Sequence, residues 1–68
     1  MNYQVYWIDH RGAGCMRAFS DEDALVRFIK RLRQIAIIYD ESSRVVGGIK
    51  RDYHRWLWWF ESDVQRRA

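Results

Sequence analysis

Few side chains in this sequence are of the types that carry out catalysis, and their spacing does not favour it. Asp9 precedes His10 in the order of an acid–imidazole pair. Neighbours in an extended strand point to opposite faces, however, and no nucleophile is tied to this pair. Cys15 would act only as a thiolate, which needs a base or a helix N-terminus beside it. We interpret His10 as a turn residue and Cys15 as a small apolar filler, and we expect no enzymatic activity.

Two short motifs have part of the composition of a ligand site. The segment 12–14, Gly-Ala-Gly, lacks the lysine and the strand-to-helix position of a phosphate-binding loop. The acidic run 21–23 falls where the first turn of a helix is expected, so the helix dipole explains it without a metal. One cysteine and two histidines are too few for the four ligands of a structural zinc site. We therefore expect neither a metal nor a cofactor.

The most distinctive segment is residues 55–60, Arg-Trp-Leu-Trp-Trp-Phe, which holds three of the four tryptophans. Basic pairs stand before it at Lys50-Arg51 and after it at Arg66-Arg67. A chain of 68 residues buries only about 60% of the surface that its unfolded form exposes. Tryptophan and arginine are also enriched at binding hot spots. Part of this aromatic surface is therefore expected to remain available to a partner.

The composition predicts one small, mildly basic domain over 1–68. The formal charge is +3, and ten of the twelve basic residues are arginine. A single cysteine excludes an internal disulfide, so dense aromatic packing or self-association must stabilise the domain. No signal peptide and no run of roughly 20 apolar residues is recognisable. The cytoplasm is the expected compartment, with no membrane partner.

Alternating apolar residues and turn signals predict an α+β fold of order β-β-α-β-β-β, a small antiparallel sheet packed against one amphipathic helix. The pair Gly47-Gly48 would weaken a regular strand and suggests a bulge or the close approach of another backbone. The strands are predicted at 3–8, 15–19, 35–39, 44–51 and 56–61, and the helix at 20–34.

The helix is predicted from its cap and its periodicity. Ser20 is a good N-cap residue, and acidic residues follow it. The apolar positions recur at three- and four-residue spacing: Ala24, Leu25, Phe28, Ile29 and Leu32. The remaining face carries Arg27, Lys30, Arg31 and Arg33. Such cations could follow a phosphate backbone, but the acids at the start of the helix make its field dipolar, which favours a solvated face.

The segment predicted as the last strand also fits a helical pattern. Tyr53, Trp56, Leu57, Phe60 and Val64 also fit a helical stripe, with Asp52 as a cap. Bulky aromatic residues favour a strand, which is the interpretation used for the two faces of the sheet.

Alternation within the strands sorts residues onto the two faces. Trp56, Trp58 and Phe60 form an all-apolar set that should meet the helix, and Val45 and Ile49 should point the same way. The uncovered face should carry apolar and cationic residues together: Tyr6, Ile8, Leu57 and Trp59, with Lys50, Arg55 and Arg17 around them. An apolar patch with a polar rim is typical of an interaction site.

Three interpretations of that face remain open. It could bind a protein or a second copy of the chain, and it could bind nucleic acid through stacked aromatics and arginines. Alternatively, the sheet curls or the chain after Phe60 folds over it, and the tryptophans complete a small core.

In size and layout, the chain resembles the accessory proteins of phages and mobile elements, including anti-CRISPR inhibitors. The resemblance covers no specific residues. It implies an inhibitor that occupies a surface of a host defence complex. Many such inhibitors mimic DNA with strong negative charge, whereas this chain carries +3. It would have to grip an acidic protein surface or self-associate first.

Overall fold

The computed structural model describes residues 2–61, and within that range it confirms the α+β class and the order β-β-α-β-β-β. Val64, Arg66 and Arg67 lie outside the described residues. The elements are β1 (Tyr3–Ile8), β2 (Gly14–Phe19), α1 (Glu22–Arg31), β3 (Ala36–Tyr39), β4 (Val45–Asp52) and β5 (Arg55–Phe60). The tryptophan segment is a strand and not a helix, since it pairs with β4 from Asp52↔Arg55 to Gly47↔Phe60.

The five strands form one antiparallel sheet in the order β2-β1-β3-β4-β5. Three connections are hairpins, and the helix carries the chain from β2 at one edge back to β3 beside β1. The helix contacts both edge strands, β2 and β5, so it crosses one face of the sheet. We call this the covered face, and the opposite one the open face.

Two hairpins use the same aspartate-based turn. The Asp9 side chain accepts backbone hydrogen bonds from Arg11 and Ala13 at 2.8 and 2.9 Å. Asp40 accepts equivalent bonds from Ser42 and Arg44. These backbone bonds hold the pKa of each carboxyl below its usual value, against an opposing effect of desolvation. Both aspartates therefore act structurally, as aspartates in turns commonly do.

The helix is shorter than predicted, with a different cap. Asp21, and not Ser20, is the N-cap, and its side chain accepts a hydrogen bond from the Asp23 backbone N–H at 3.1 Å. The helix ends at Arg31 because Leu32 is extended, at φ −77° and ψ 111°. Either residue is a favourable N-cap type, so composition alone could not choose between them.

The core lies between the helix and the covered face. Its fully buried side chains come from three strands and the helix: Val5, Leu25, Ile29, Ile38 and Phe60. Tyr3 packs edge-on against Phe60, with ring centroids 5.3 Å apart, and its hydroxyl donates to Glu22 Oε1 at 2.9 Å. Burial, and then this bond to a carboxylate, raise the pKa of Tyr3 to about 12.

A β-bulge in β4 corrects the predicted direction of two valines. Ile38 pairs with Gly47 but Tyr39 pairs with Val45, so Val46 is an extra residue. Val46 is therefore buried at 5% exposure and Val45 is 49% exposed, the reverse of the prediction. One inserted residue changes which face its neighbours occupy.

The predicted close approach at the glycine pair is confirmed. A Cβ on Gly47 would lie 2.7 Å from the Trp59 carbonyl oxygen and 2.8 Å from Ile38 Cδ1. On the open face, a Cβ on Gly48 would lie 3.0 Å from the Ala36 carbonyl oxygen. Glycine is needed here because neighbouring backbone occupies the space of a side chain.

Candidate functional site

A row of five residues, one from each strand, crosses the open face. Tyr6 pairs with Met16 on one side and Ile37 on the other, Ile37 pairs with Gly48, and Gly48 pairs with Trp59. Directly paired residues on one face are the closest neighbours in a sheet. The row Met16–Tyr6–Ile37–Gly48–Trp59 therefore forms a continuous apolar band from edge to edge, which we call the cross-strand row.

Trp59 lies over its glycine partner, because Gly48 has no side chain to occupy that space. Its indole covers Gly48, with Nε1 3.3 Å from the position a Cβ would take. The side chain is nevertheless 45% exposed. Its neighbour in sequence, Phe60, is 1% exposed on the covered face. Trp59 thus has one side supported by the sheet and the other available for contact.

Most of the exposed large apolar side chains among the described residues belong to this face. The exception is Tyr53, at the tip of the β4–β5 hairpin. The others are Tyr6, Ile8, Met16, Ile35, Ile37, Val45 and Trp59. Isolated exposed apolar residues are ordinary, but a contiguous patch indicates an interaction surface.

The open face also contains a depression on the side away from Trp59. This apolar groove has a volume of about 500 Å³. It lies where β1, β2 and β3 adjoin, and its open-face lining is Tyr6, Ile8, Gly14, Met16, Ile35 and Ile37. The face therefore has an exposed indole at β5 and a groove at β1–β3.

Polar groups surround the apolar band. Tyr6 donates to Gln4 at 3.1 Å and meets the Tyr39 ring edge-on, with centroids 5.5 Å apart. At the end of β5, Glu61 pairs with Arg44, with 3.3 Å between carboxylate and guanidinium. This arrangement has the apolar centre and polar rim of a protein interface.

Six of the seven predicted contact residues lie on the open face. The register places Tyr6, Ile8, Lys50, Arg55, Leu57 and Trp59 there. Arg17 is the exception, because it pairs with Val5 of the core and therefore points to the covered side. Its guanidinium lies 5.2 Å from the Phe19 ring centroid and 5.1 Å from that of Phe28.

Sequence reasoning missed four members of the apolar patch: Met16, Ile35, Ile37 and Val45. The segment 35–38 is a continuous apolar run, so its own pattern does not say which residues face out. The pairing Tyr6↔Ile37 supplies that information. Sorting β2 by the alternation used for β1 would have found Met16, whereas Val45 depends on the bulge.

The side chains considered above as possible catalysts lie at the β1–β2 hairpin. Asp9 is bound by the backbone of its own turn, and Cys15 Sγ lies 3.9 Å from Asp9 Oδ2. No group of three or more metal-binding side chains occurs within residues 2–61.

Comparison of the chain with protein-family models, curated proteins and solved structures found no match. In the part of the chain that the structure describes, no helix is long and apolar enough to cross a membrane. Functional inference therefore depends on the surface of the molecule itself.

Proposed function

We propose that this chain is a non-enzymatic binding protein that contacts another protein through its open face. The first protein that we expect to bind there is a second copy of the chain. The observation that carries this proposal is the cross-strand row, an uninterrupted apolar band on the face that the helix leaves uncovered. A sheet gains stability when its apolar face packs against another layer. A second sheet can supply that layer.

Self-association is favoured by the shape of the face. In a face-to-face dimer, the two-fold axis would lie between the two sheets and run parallel to the central strand, β3. The β5 side of one copy would then lie opposite the β1–β2 side of the other. Trp59 of each copy then faces the apolar groove of its partner. Two-fold dimers use the same patch on both subunits, so the indole and the groove that would receive it must both lie on one chain. The open face meets this requirement.

The area of the open face is also suitable for a dimer interface. A standard interface buries about 800 Å² per partner, which is about one-sixth of the 5161 Å² that the chain exposes. One face of a five-stranded sheet can contribute such an area. Aligned sheets pack about 10 Å apart, with the side chains of the two inner faces interdigitating. Lys50 and Arg55 would stay solvated at the rim.

Sedimentation of the wild type and two charge-matched variants tests this proposal. The wild type should dimerise at micromolar concentration. Trp59→Glu should raise the dissociation constant by roughly 30-fold or more, since it places an unpaired charge in the apolar centre. Tyr53→Glu makes the same change at the exposed hairpin tip and should leave the dimer intact. A monomer at about 100 µM, or equal effects of both variants, would overturn the dimer.

A narrower hypothesis follows from the resemblance to accessory proteins of phages and mobile elements. We propose that the protein acts in the cytoplasm and that its further partner is a host defence complex, which it inhibits by occupying a surface. A reconstituted defence assay with wild type and Trp59→Glu tests this directly. Inhibition by the wild type that Trp59→Glu abolishes supports the hypothesis. No inhibition by the folded wild type would contradict it.

A further inference from the structure

A second surface, on the helix side of the molecule, carries three arginines. Arg17 from β2 and Arg27 and Arg31 from α1 line a groove between these elements, together with Phe19, Ala24 and Phe28. The groove has a volume of about 220 Å³. Arg27 and Arg31 are one helical turn apart, so they lie on the same side of the helix. The fold thus adds a strand arginine to two helix arginines, and we call this site the arginine groove.

Arg17 is held in place by aromatic packing. Its guanidinium lies 5.2 and 5.1 Å from the ring centroids of Phe19 and Phe28, which are themselves 5.2 Å apart. Guanidinium groups stack favourably on aromatic rings. A stacked guanidinium keeps the N–H groups at its edge available for hydrogen bonding. Arg17 is therefore a pre-positioned donor and not a free surface side chain.

Within residues 2–61, no carboxylate forms an ion pair with an arginine of the groove. Among the described residues, the ion pairs are those of Arg44 with Asp40 and with Glu61. Asp23 lies one turn before Arg27 but not within ion-pair distance, and Glu22 accepts the hydrogen bond of Tyr3. The C-terminal end of the helix dipole offsets only part of the positive charge. The groove thus attracts an anion.

We propose that the arginine groove binds the phosphate groups of a nucleic-acid backbone. Among the described residues, the polar side chains that line it are all guanidinium groups, which only donate hydrogen bonds. A phosphodiester backbone presents only acceptors, and guanidinium forks bind phosphate in a bidentate manner. An acidic peptide brings backbone N–H donors as well, and these lining side chains offer them no acceptor. Arg33 adds positive charge beyond the helix, whereas Lys30 is turned towards β5, with Nζ 5.3 Å from the Trp58 ring centroid.

This site is independent of the proposed protein-binding face. Arg17 lies on the covered side of the sheet, whereas the cross-strand row lies on the open side. A face-to-face dimer would therefore carry an arginine groove on each outer surface. It would bind one nucleic-acid segment on either side without using Trp59.

Fluorescence anisotropy with a labelled oligothymidylate of about 12 nucleotides tests the proposal. Three phosphate contacts predict that the logarithm of the affinity falls with the logarithm of salt concentration at a slope of about −2, since each contact contributes about 0.7. Arg17→Gln, Arg27→Gln and Arg31→Gln should each weaken binding and reduce that slope by about 0.7. Arg55→Gln removes the same charge from the open face and should leave the slope unchanged.

The contrary outcomes are specific. Equal losses of oligonucleotide affinity in Arg55→Gln and in the groove variants would show that only net charge matters. An absence of oligonucleotide binding near 50 mM salt would also overturn the proposal. Tighter binding of a polyglutamate peptide than of the oligonucleotide would assign the groove to an acidic protein segment. Trp59→Ala should dissociate the dimer and keep the salt slope. Arg17→Gln should keep the dimer, so failure of one proposal is distinguishable from failure of the other.

Discussion

The two faces of the sheet use similar residues for different purposes. On the covered face, Phe60 and Tyr3 pack edge-on within the core that the helix completes. On the open face, Tyr6 and Tyr39 meet with almost the same geometry, at 5.5 Å and 82°, yet Tyr6 remains exposed. Aromatic content therefore does not distinguish core from surface in this protein. Coverage by the helix does, because it removes the centre of one face from water.

The largest expected difference between the faces concerns two adjacent aromatic residues. Phe60→Ala should lower the free energy of unfolding by about 3–5 kcal/mol, since it leaves a cavity in the core. Trp59→Ala should cost less than about 2 kcal/mol in the monomer, since half of its side chain is already solvated. Urea unfolding at a protein concentration low enough for the monomer to dominate measures both.

A milder variant keeps that comparison measurable. If Phe60→Ala fails to fold, Phe60→Leu should still cost more stability than Trp59→Ala. Equal losses from both faces would show that Trp59 belongs to the core and would remove the argument for the open face as a binding surface.

The adjacent glycines give a second comparison, of intermediate size. Gly47→Ala should cost about 1–3 kcal/mol, because its Cβ would meet the backbone oxygen of Trp59 at 2.7 Å. Gly48→Ala should cost less, since its nearest backbone atom, the Ala36 carbonyl oxygen, is 3.0 Å from the Cβ position and the Trp59 indole can shift away. That shift should change the tryptophan emission spectrum. A larger loss for Gly48→Ala would mean that the indole is held rigidly over the sheet.

The smallest expected effect depends on pH and tests the Tyr3–Glu22 contact. The pKa of Tyr3 is raised from 10.0 to about 12, so the folded chain holds this proton more tightly than the unfolded chain does. The stabilisation is complete below pH 10 and is lost as pH rises towards 12. Tyr3→Phe should cost about 1 kcal/mol at neutral pH. Its stability should then fall less steeply than that of the wild type over this window.

Denaturant unfolding at a series of alkaline pH values measures that difference. Tyr53→Phe, at the exposed hairpin tip, is the matched control and should retain the wild-type pH dependence. Identical alkaline profiles for Tyr3→Phe and the wild type would show that the buried hydroxyl does not contribute in this way.

Local sequence patterns were sufficient to predict the helix and strands and to assign many of the residues on the open face. The alternation in β5 separated Trp56, Trp58 and Phe60 from Leu57 and Trp59, because successive side chains of a strand must point to opposite sides. The glycine pair indicated the close backbone approach in β4. The bounds of the helix were less accurate, since both Ser20 and Asp21 are favourable caps.

The sequence by itself therefore determined the features that depend on periodicity. These are the fold class, the order of the elements and the two sets of residues in β5. The tertiary structure decided what depends on partners distant in the chain. The Tyr6↔Ile37 pairing made one cross-strand row from five separate strands. The bulge reversed Val45 and Val46. Arg17 went to the helix side because its pairing with Val5 of the core sets its direction.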